Sequence, residues 1–164
     1  MKNSAFTDVM FPPKNGIIFN KKYMYLEEGL KFERVSKIYE AYKVRLIKFC
    51  EPAFIISGKF TSPAVYSALT ILAEEPARVL DLIGNQEFNQ NGIYFVHVCK
   101  DGIWRYILID DYLPVKILLK RSLLFAHTIS KDNTHEFWPA ILEKALAKVY
   151  GTYQDLFLTA DKGI

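Results

Sequence analysis

The sequence is short of several things. It has two cysteines and three histidines in 164 residues. Cys50 and Cys99 make no disulfide framework, and they pair only if the fold brings their backbones within about 7 Å. The bland reading is reduced, partly buried thiols in an intracellular, cytoplasmic protein. Neither cysteine belongs to a Cys-x-x-Cys pair, and His97, His127 and His135 do not repeat at ligand spacing, which argues against a zinc module. The start MKNSAFTDVMF has no continuous apolar core of a signal peptide, and no window reaches the length of a membrane span. Gly-x-Gly-x-x-Gly and Walker patterns are missing too, so nucleotide binding has no support. A charge excess of one sign is also lacking. The formal net charge is +3, and the densest basic spots, Lys21-Lys22 and Lys120-Arg121, are dipeptides that read as solvated surface. A groove that tracks nucleic acid needs more cations converging on one face.

Apolar mass is plentiful. Half of the chain is hydrophobic (51%), with 12 Phe, 10 Tyr and 2 Trp, which offsets the ordering entropy of one compact domain and excludes a disordered tail. Residues 1–29 read as irregular and turn-rich, with Phe6, Phe11 and Phe19 available to pin the segment to a core. Residues 30–50 are ambiguous: Leu30, Val35, Ile38, Tyr42 and Leu46 follow a helix, whereas 43–49 alternate like a strand. Ala53 to Ile56 is a short extended run closed by Ser57-Gly58.

A helix start follows at Ser62-Pro63, an N-cap residue before a proline at the first helical position. Val65, Ala68, Leu69 and Leu72 make its apolar face. Glu74-Glu75-Pro76 marks a boundary, and a second short helix runs over 77–83 with Val79, Leu80 and Ile83 inward. From Gly92 the period changes to two. Strands over 93–99 and 104–109 flank Lys100-Asp101-Gly102, a strong hairpin signal whose rings are expected to pack against a helix. Residues 115–126 are either a strand pair or a surface loop. The last helix runs from 136–138 to about Tyr150, with Pro139 in its first turn and Gly151 ending it. Its Lys144 and Lys148 suit the C-terminal end of the helix dipole. His135 falls at the start of this helix, and His97 packs in its strand. Adjacent Asp110 and Asp111 point to opposite faces of a strand, so one caps a turn and the other meets solvent or an arginine, in preference to a metal.

The segment NGIYFVHVCKDGIWRYILIDDYLPV resembles the calpain cysteine proteases. Gly92, Ile93, Gly102, Trp104, Asp110, Asp111, Leu113 and Pro114 match a family pattern of a strand, Gly-x-Trp, a second strand and Asp-Asp-x-Leu-Pro. Leu124, Phe125 and His127 look like its Leu-Phe-x-His. Phe137, Trp138, Glu143 and Lys144 fall in a stretch similar to its Glu-Phe-Trp-x-x-Leu-x-Glu-Lys-Ala helix. Phe6, Asp8 and Phe11-Pro12-Pro13 resemble the family's entry segment, and Phe54-Ile55-Ile56-x-Gly58 the strand before its active-site loop.

The resemblance implies an α+β fold: subdomain I of a papain-like calpain core, mainly helical with a β-hairpin, spanning 1–164. In the family the nucleophile sits in Gln-Gly-x-x-Gly-Asp-Cys-Trp at a helix start. The matching register places Ser62 at the aspartate, Pro63 at the cysteine and Ala64 at the tryptophan, with Ser57 at the oxyanion-hole glutamine. Pro63 has no thiol to form an acyl-enzyme and no N–H to donate to an oxyanion. Losing one such donor costs about 2.7–4 kcal/mol of transition-state stabilisation. The family's histidine and asparagine come from a second subdomain downstream, expected to be absent here, and His127 and His135 match first-half positions. The expectation is therefore a non-enzyme. Calcium is the one cofactor the resemblance raises, without ligands that can be placed. The expected partner is a protein, such as a calpain-type second half or another calpain. A truncated isoform of a calcium-dependent endopeptidase is the alternative.

Overall fold

A computed structural model describes residues 5–19, 29–39, 43–85, 87–117, 121–129 and 132–161. Lys21, Lys22, Tyr42 and Lys120 lie outside the described residues. Elements follow in chain order: β1 Leu30–Arg34, α1 Val35–Ile38, β2 Val44–Arg45, β3 Ile55–Ile56, α2 Pro63–Ala73, α3 Pro76–Leu82, β4 Ile93–Lys100, β5 Ile103–Asp110, β6 Tyr112–Ile117, β7 Arg121–Leu123, β8 His127–Thr128, β9 His135–Glu136, α4 Trp138–Tyr150 and α5 Tyr153–Asp161. The fold is α+β. Strands stand beside helices in comparable measure, so the mainly helical character expected of the chain is not what the described residues display.

The β4–β5 hairpin forms as the sequence predicts. Its two-residue turn places Asp101 at φ 55° and Gly102 at φ 74°, the left-handed pair that matches strand twist. Only one set of its rings goes inward. Tyr94 is fully buried and meets Phe137 edge-on at 5.5 Å. Phe95, Trp104 and Tyr106 are exposed instead, and His97 stacks on Tyr106 at 4.5 Å on that outer face. The expectation that these rings pack against a helix fails because alternate strand residues face opposite ways.

Residues 30–50 resolve into short pieces that need distant partners. β1 pairs with β6, Leu30 opposite Lys116, and β6 pairs in turn with β7, so 115–117 and 121–123 are a strand pair. β2 lies parallel to β9, with Val44 opposite His135, and β3 pairs with β8. His135 is therefore a strand residue and does not open a helix.

Helix α4 is the centre. It begins at Trp138 with Pro139 in its first turn and ends at Gly151, whose φ is 112°. Trp138 to Ala145 are all buried, Glu143 and Lys144 included, so the helix is enclosed nearly all round. In α2 Val65, Leu69 and Ala73 are buried while Ala68 is exposed; in α3 Val79 is buried and Leu80 is not. Phe11 is buried against Tyr153 of α5, and Phe19 meets Phe60 edge-on at 5.1 Å, so the entry segment is pinned by its aromatics.

Candidate functional site: the start of helix α2

The chain approaches α2 through β3 and a tight loop. Gly58 lies against the 124–125 backbone so closely that a Cβ would stand 2.4 Å from the Leu124 carbonyl oxygen and the Phe125 Cα. The Phe60 N–H donates to the Leu124 carbonyl at 2.9 Å, and the Thr61 N–H to the Gly58 carbonyl at 3.2 Å. The Thr61 hydroxyl donates to Glu143 Oε2 at 3.2 Å, and the same oxygen accepts the Ala126 N–H at 2.8 Å. One buried carboxylate of α4 thus joins the loop before α2 to the segment beside it. Burial pushes the Glu143 carboxyl up to about 7, against the two hydrogen bonds that favour its charged form.

The helix begins where the sequence predicts. Ser62 is the N-cap, buried and extended (φ −62°, ψ 138°); its carbonyl accepts the Tyr66 N–H at 2.9 Å, and its side chain makes no capping bond. Pro63 occupies the first turn and is exposed, as is Ala64. Ser57 is exposed and its hydroxyl donates to the Gly58 carbonyl at 3.3 Å. Ser62, Pro63 and Ala64 form the helix start, and Ser57 lies in the loop that leads to it. They offer hydroxyls and a proline there, and no thiol.

Neither cysteine belongs to this start. Cys50 precedes β3, is buried, and its thiol is pushed up to about 12 by burial and by Glu136. Its backbone N–H, with those of Lys48 and Phe49, donates to the Glu136 carboxylate. Cys99 is exposed on β4. A thiol held protonated by desolvation is a poor nucleophile.

Several of the matching positions meet at a second place, one residue further along α4, whereas Gly102 and Trp104 stay at the exposed end of the hairpin. The Lys144 ammonium is fully buried and pairs with the Asp110 carboxylate; it also donates to the carbonyls of Asp110 (3.1 Å) and Tyr112 (2.7 Å). Asp110 accepts the N–H groups of Asp8 at 2.7 Å and Tyr112 at 3.0 Å. Asp111 pairs with Arg34, whose guanidinium also reaches the Phe6 carbonyl at 2.5 Å. Lys148 joins Asp8 (2.7 Å) and the Leu108 carbonyl (2.8 Å). One aspartate caps a turn and the other meets an arginine, as the strand geometry suggests. Lys148 does lie in the last turn of α4, as the dipole reading has it, but Lys144 does not; both ammonium groups reach sideways into carboxylates, and burial pushes the Lys144 ammonium down while Asp110 supports its charge. Gly92 completes the knot. Its φ is 66°, and a Cβ there would stand 2.4 Å from Arg34 Nη1 and 2.5 Å from Asp111 Oδ1. Leu113 is buried in β6 beside Pro114, whose missing N–H falls opposite Phe32.

Glu143, now seen as the organiser of the α2 start, had no signal in the sequence beyond its place in the matching helix. Among the described residues, no group of three or more His, Cys, Asp or Glu side chains converges to hold a metal ion. Nor is any helix among them long and apolar enough to cross a membrane.

Residues 6–162 match the family model of the calpain family cysteine proteases. The chain belongs to that family. It is similar to a calpain-type cysteine protease of Oryza sativa subsp. japonica, 32% identical over 162 residues, covering 92% of this chain and 7% of the relative. Human calpain-2 catalytic subunit is 36% identical over 170 residues, covering 93% and 22%, and calpain-5 of Caenorhabditis elegans is 29% identical over 162 residues, covering 94% and 24%. The chain thus spans at most about a quarter of these calpains' own length. Within the calpain match fall the Asp110–Lys144 knot, the Glu143 tie and the α2 start alike.

Proposed function

We propose that this calpain-type unit has no proteolytic chemistry of its own and serves as a non-catalytic binding or regulatory module. The observation that carries the reading is Pro63 in the first turn of α2. Carried over residue by residue, that turn is where the family sets its nucleophile, and a proline supplies neither thiolate nor oxyanion donor. Two features support it. The loop into α2 is held by contacts through Gly58, Thr61 and Glu143, which supports a scaffold kept beside a substituted nucleophile position. The Cys50 thiol is buried, and its backbone is tied to Glu136 of β9.

Binding then falls to a protein partner: a calpain-type second half, or an active calpain whose substrate or assembly it engages. Residues 1–164 act in this reading as one subdomain I unit in the cytoplasm, with Gly92, Gly102, Trp104, Asp110, Asp111, Leu113, Pro114, Phe137, Trp138, Glu143 and Lys144 as scaffold. Incubation with casein, calcium and reductant is expected to yield no turnover. Cleavage that disappears on alkylating Cys50 or Cys99 refutes the proposal. A second reading is favoured by the coverage of the relatives: the unit is part of, or an isoform of, a calcium-dependent cysteine endopeptidase. Casein turnover by a longer native product, absent from the isolated unit, supports that one.

A further inference from the structure

The chain holds two Asn-Gly pairs, Asn15-Gly16 and Asn91-Gly92, and the fold treats them in opposite ways. Asn-Gly is the dipeptide in which the following backbone nitrogen is least shielded, because glycine has no Cβ. That nitrogen can attack the asparagine side-chain amide and close a succinimide ring. Whether it does so in a folded protein depends on how firmly the pair is held.

At the second pair the attacking nitrogen is engaged. The Gly92 N–H donates to the Asn89 carbonyl at 2.9 Å, the Asn91 N–H donates to Asn89 Oδ1 at 2.8 Å, and the Asn91 carbonyl accepts the Phe6 N–H at 2.8 Å. Gly92 itself is buried against Arg34 and Asp111. At the first pair none of this holds. Asn15 and Gly16 are both exposed, and a Cβ on Gly16 would meet nothing within 4 Å. Neither the Asn15 side chain nor the Gly16 N–H has a hydrogen-bond partner among the described residues. The pair sits in a single 3-10 turn, Asn15–Ile17, closed by the Ile17 N–H on the Lys14 carbonyl and the Ile18 N–H on the Asn15 carbonyl, both at 3.0 Å. One such exposed turn opens at low cost.

We infer that Asn15 is a site of spontaneous covalent modification, deamidation with isomerisation to isoaspartate, and that the fold spares Asn91. The Gly16 nitrogen loses its proton to solvent base and bonds to Asn15 Cγ, and ammonia leaves from that carbon. Water then opens the ring at either carbonyl, giving aspartate or isoaspartate; the net change is amide plus water to carboxylic acid plus ammonia. Isoaspartate carries the main chain through Cβ and Cγ, and so displaces the carbonyl that the Ile18 and Phe19 N–H groups share. Ile17 and Ile18 are buried, the Ile18 carbonyl accepts the Gln154 N–H of α5 at 3.1 Å, and Phe19 packs edge-on against Phe60 ahead of α2. The modification therefore loosens the entry segment where it meets α5 and the loop into α2.

Ageing the whole chain in mildly alkaline buffer, with peptide mapping by mass spectrometry, tests the site. The chain unfolded in guanidinium chloride supplies the reference in which both pairs react freely. In the folded protein Asn15 should convert, with isoaspartate exceeding aspartate. Asn91 should convert at least about tenfold more slowly than in the unfolded reference, because its reaction waits on local opening. Gly16→Ala, whose methyl group fits the open space, should suppress conversion at Asn15. The aged chain should also unfold at lower denaturant than Asn15→Asp, which carries the charge without the lengthened backbone. Asn91 converting as fast as Asn15 in the folded chain overturns the inference. So does Asn15 staying intact when folded while it reacts when unfolded, or conversion undiminished in Gly16→Ala. Equal midpoints for the aged chain and Asn15→Asp overturn the loosening of the entry segment.

Discussion

Two neighbouring residues of α4 hold two different regions. Lys144 anchors the knot of Asp110, Asp111, Arg34, Asp8 and Lys148, and Glu143 anchors the loop into α2. At the knot each charged side chain meets an opposite charge, and the contacts span the entry segment, β1, β5 and α4. At the α2 start the supporting contacts are equally direct, yet the first turn carries Pro63. On the proposed reading, the difference teaches that scaffold and chemistry are separable here. A buried ion pair fails when one partner is removed, whereas an exposed helix N-terminus accepts many residues.

That contrast can be broken from its strong side first. Asp110→Ala should be the most damaging change, because it strands the fully buried Lys144 ammonium; a loss of about 3–5 kcal/mol is expected in urea unfolding. Gly92→Ala should follow, at roughly 1–3 kcal/mol, from its positive φ and from the contact with Arg34 and Asp111. A melt that leaves either protein at wild-type stability would remove the knot from the account.

The Glu143 side sharpens the comparison through pH. The folded carboxyl titrates at about 7, above its ordinary 4.5, so the folded state binds its proton more tightly than the unfolded state does. Its contribution is fully present below about pH 4.5 and is lost as pH rises through 7, by an amount on the order of 3 kcal/mol. Glu143→Gln should flatten the fall in stability between pH 5 and 8, read from denaturant midpoints. An unchanged slope would show that Glu143 is not the titrating group. The smallest effect belongs to Pro63→Ala. The residue is exposed at the first helical turn, so the midpoint should move by no more than about 1 kcal/mol.

Much of this was legible in the sequence where local chemistry decides. Asp101-Gly102 specified the hairpin, and Ser62-Pro63 and Pro139 to Gly151 bounded two helices, because caps and turns act over a few residues. The stretch 30–50 was not, since β1 and β2 are short strands paired with β6 and β9 far along the chain. Lys144 looked like a helix-end cation until Asp110 arrived from another element. Helix α5 was missed although it carries a signal: the Thr152 hydroxyl accepts the Asp155 N–H at 2.9 Å, a capping arrangement just after Gly151. At the site, the helix start at Ser62-Pro63 was legible from its capping pattern, while the Thr61–Glu143 tie depended on packing.

The central claim concerns Pro63 and what it removes. Its most direct test is labelling of the native protein with a peptidyl epoxide in calcium and reductant, mapped by mass spectrometry. The account predicts no calcium-dependent adduct at Cys50, at Cys99 or anywhere on α2. A stoichiometric adduct on either cysteine, formed in step with peptide cleavage, would contradict it.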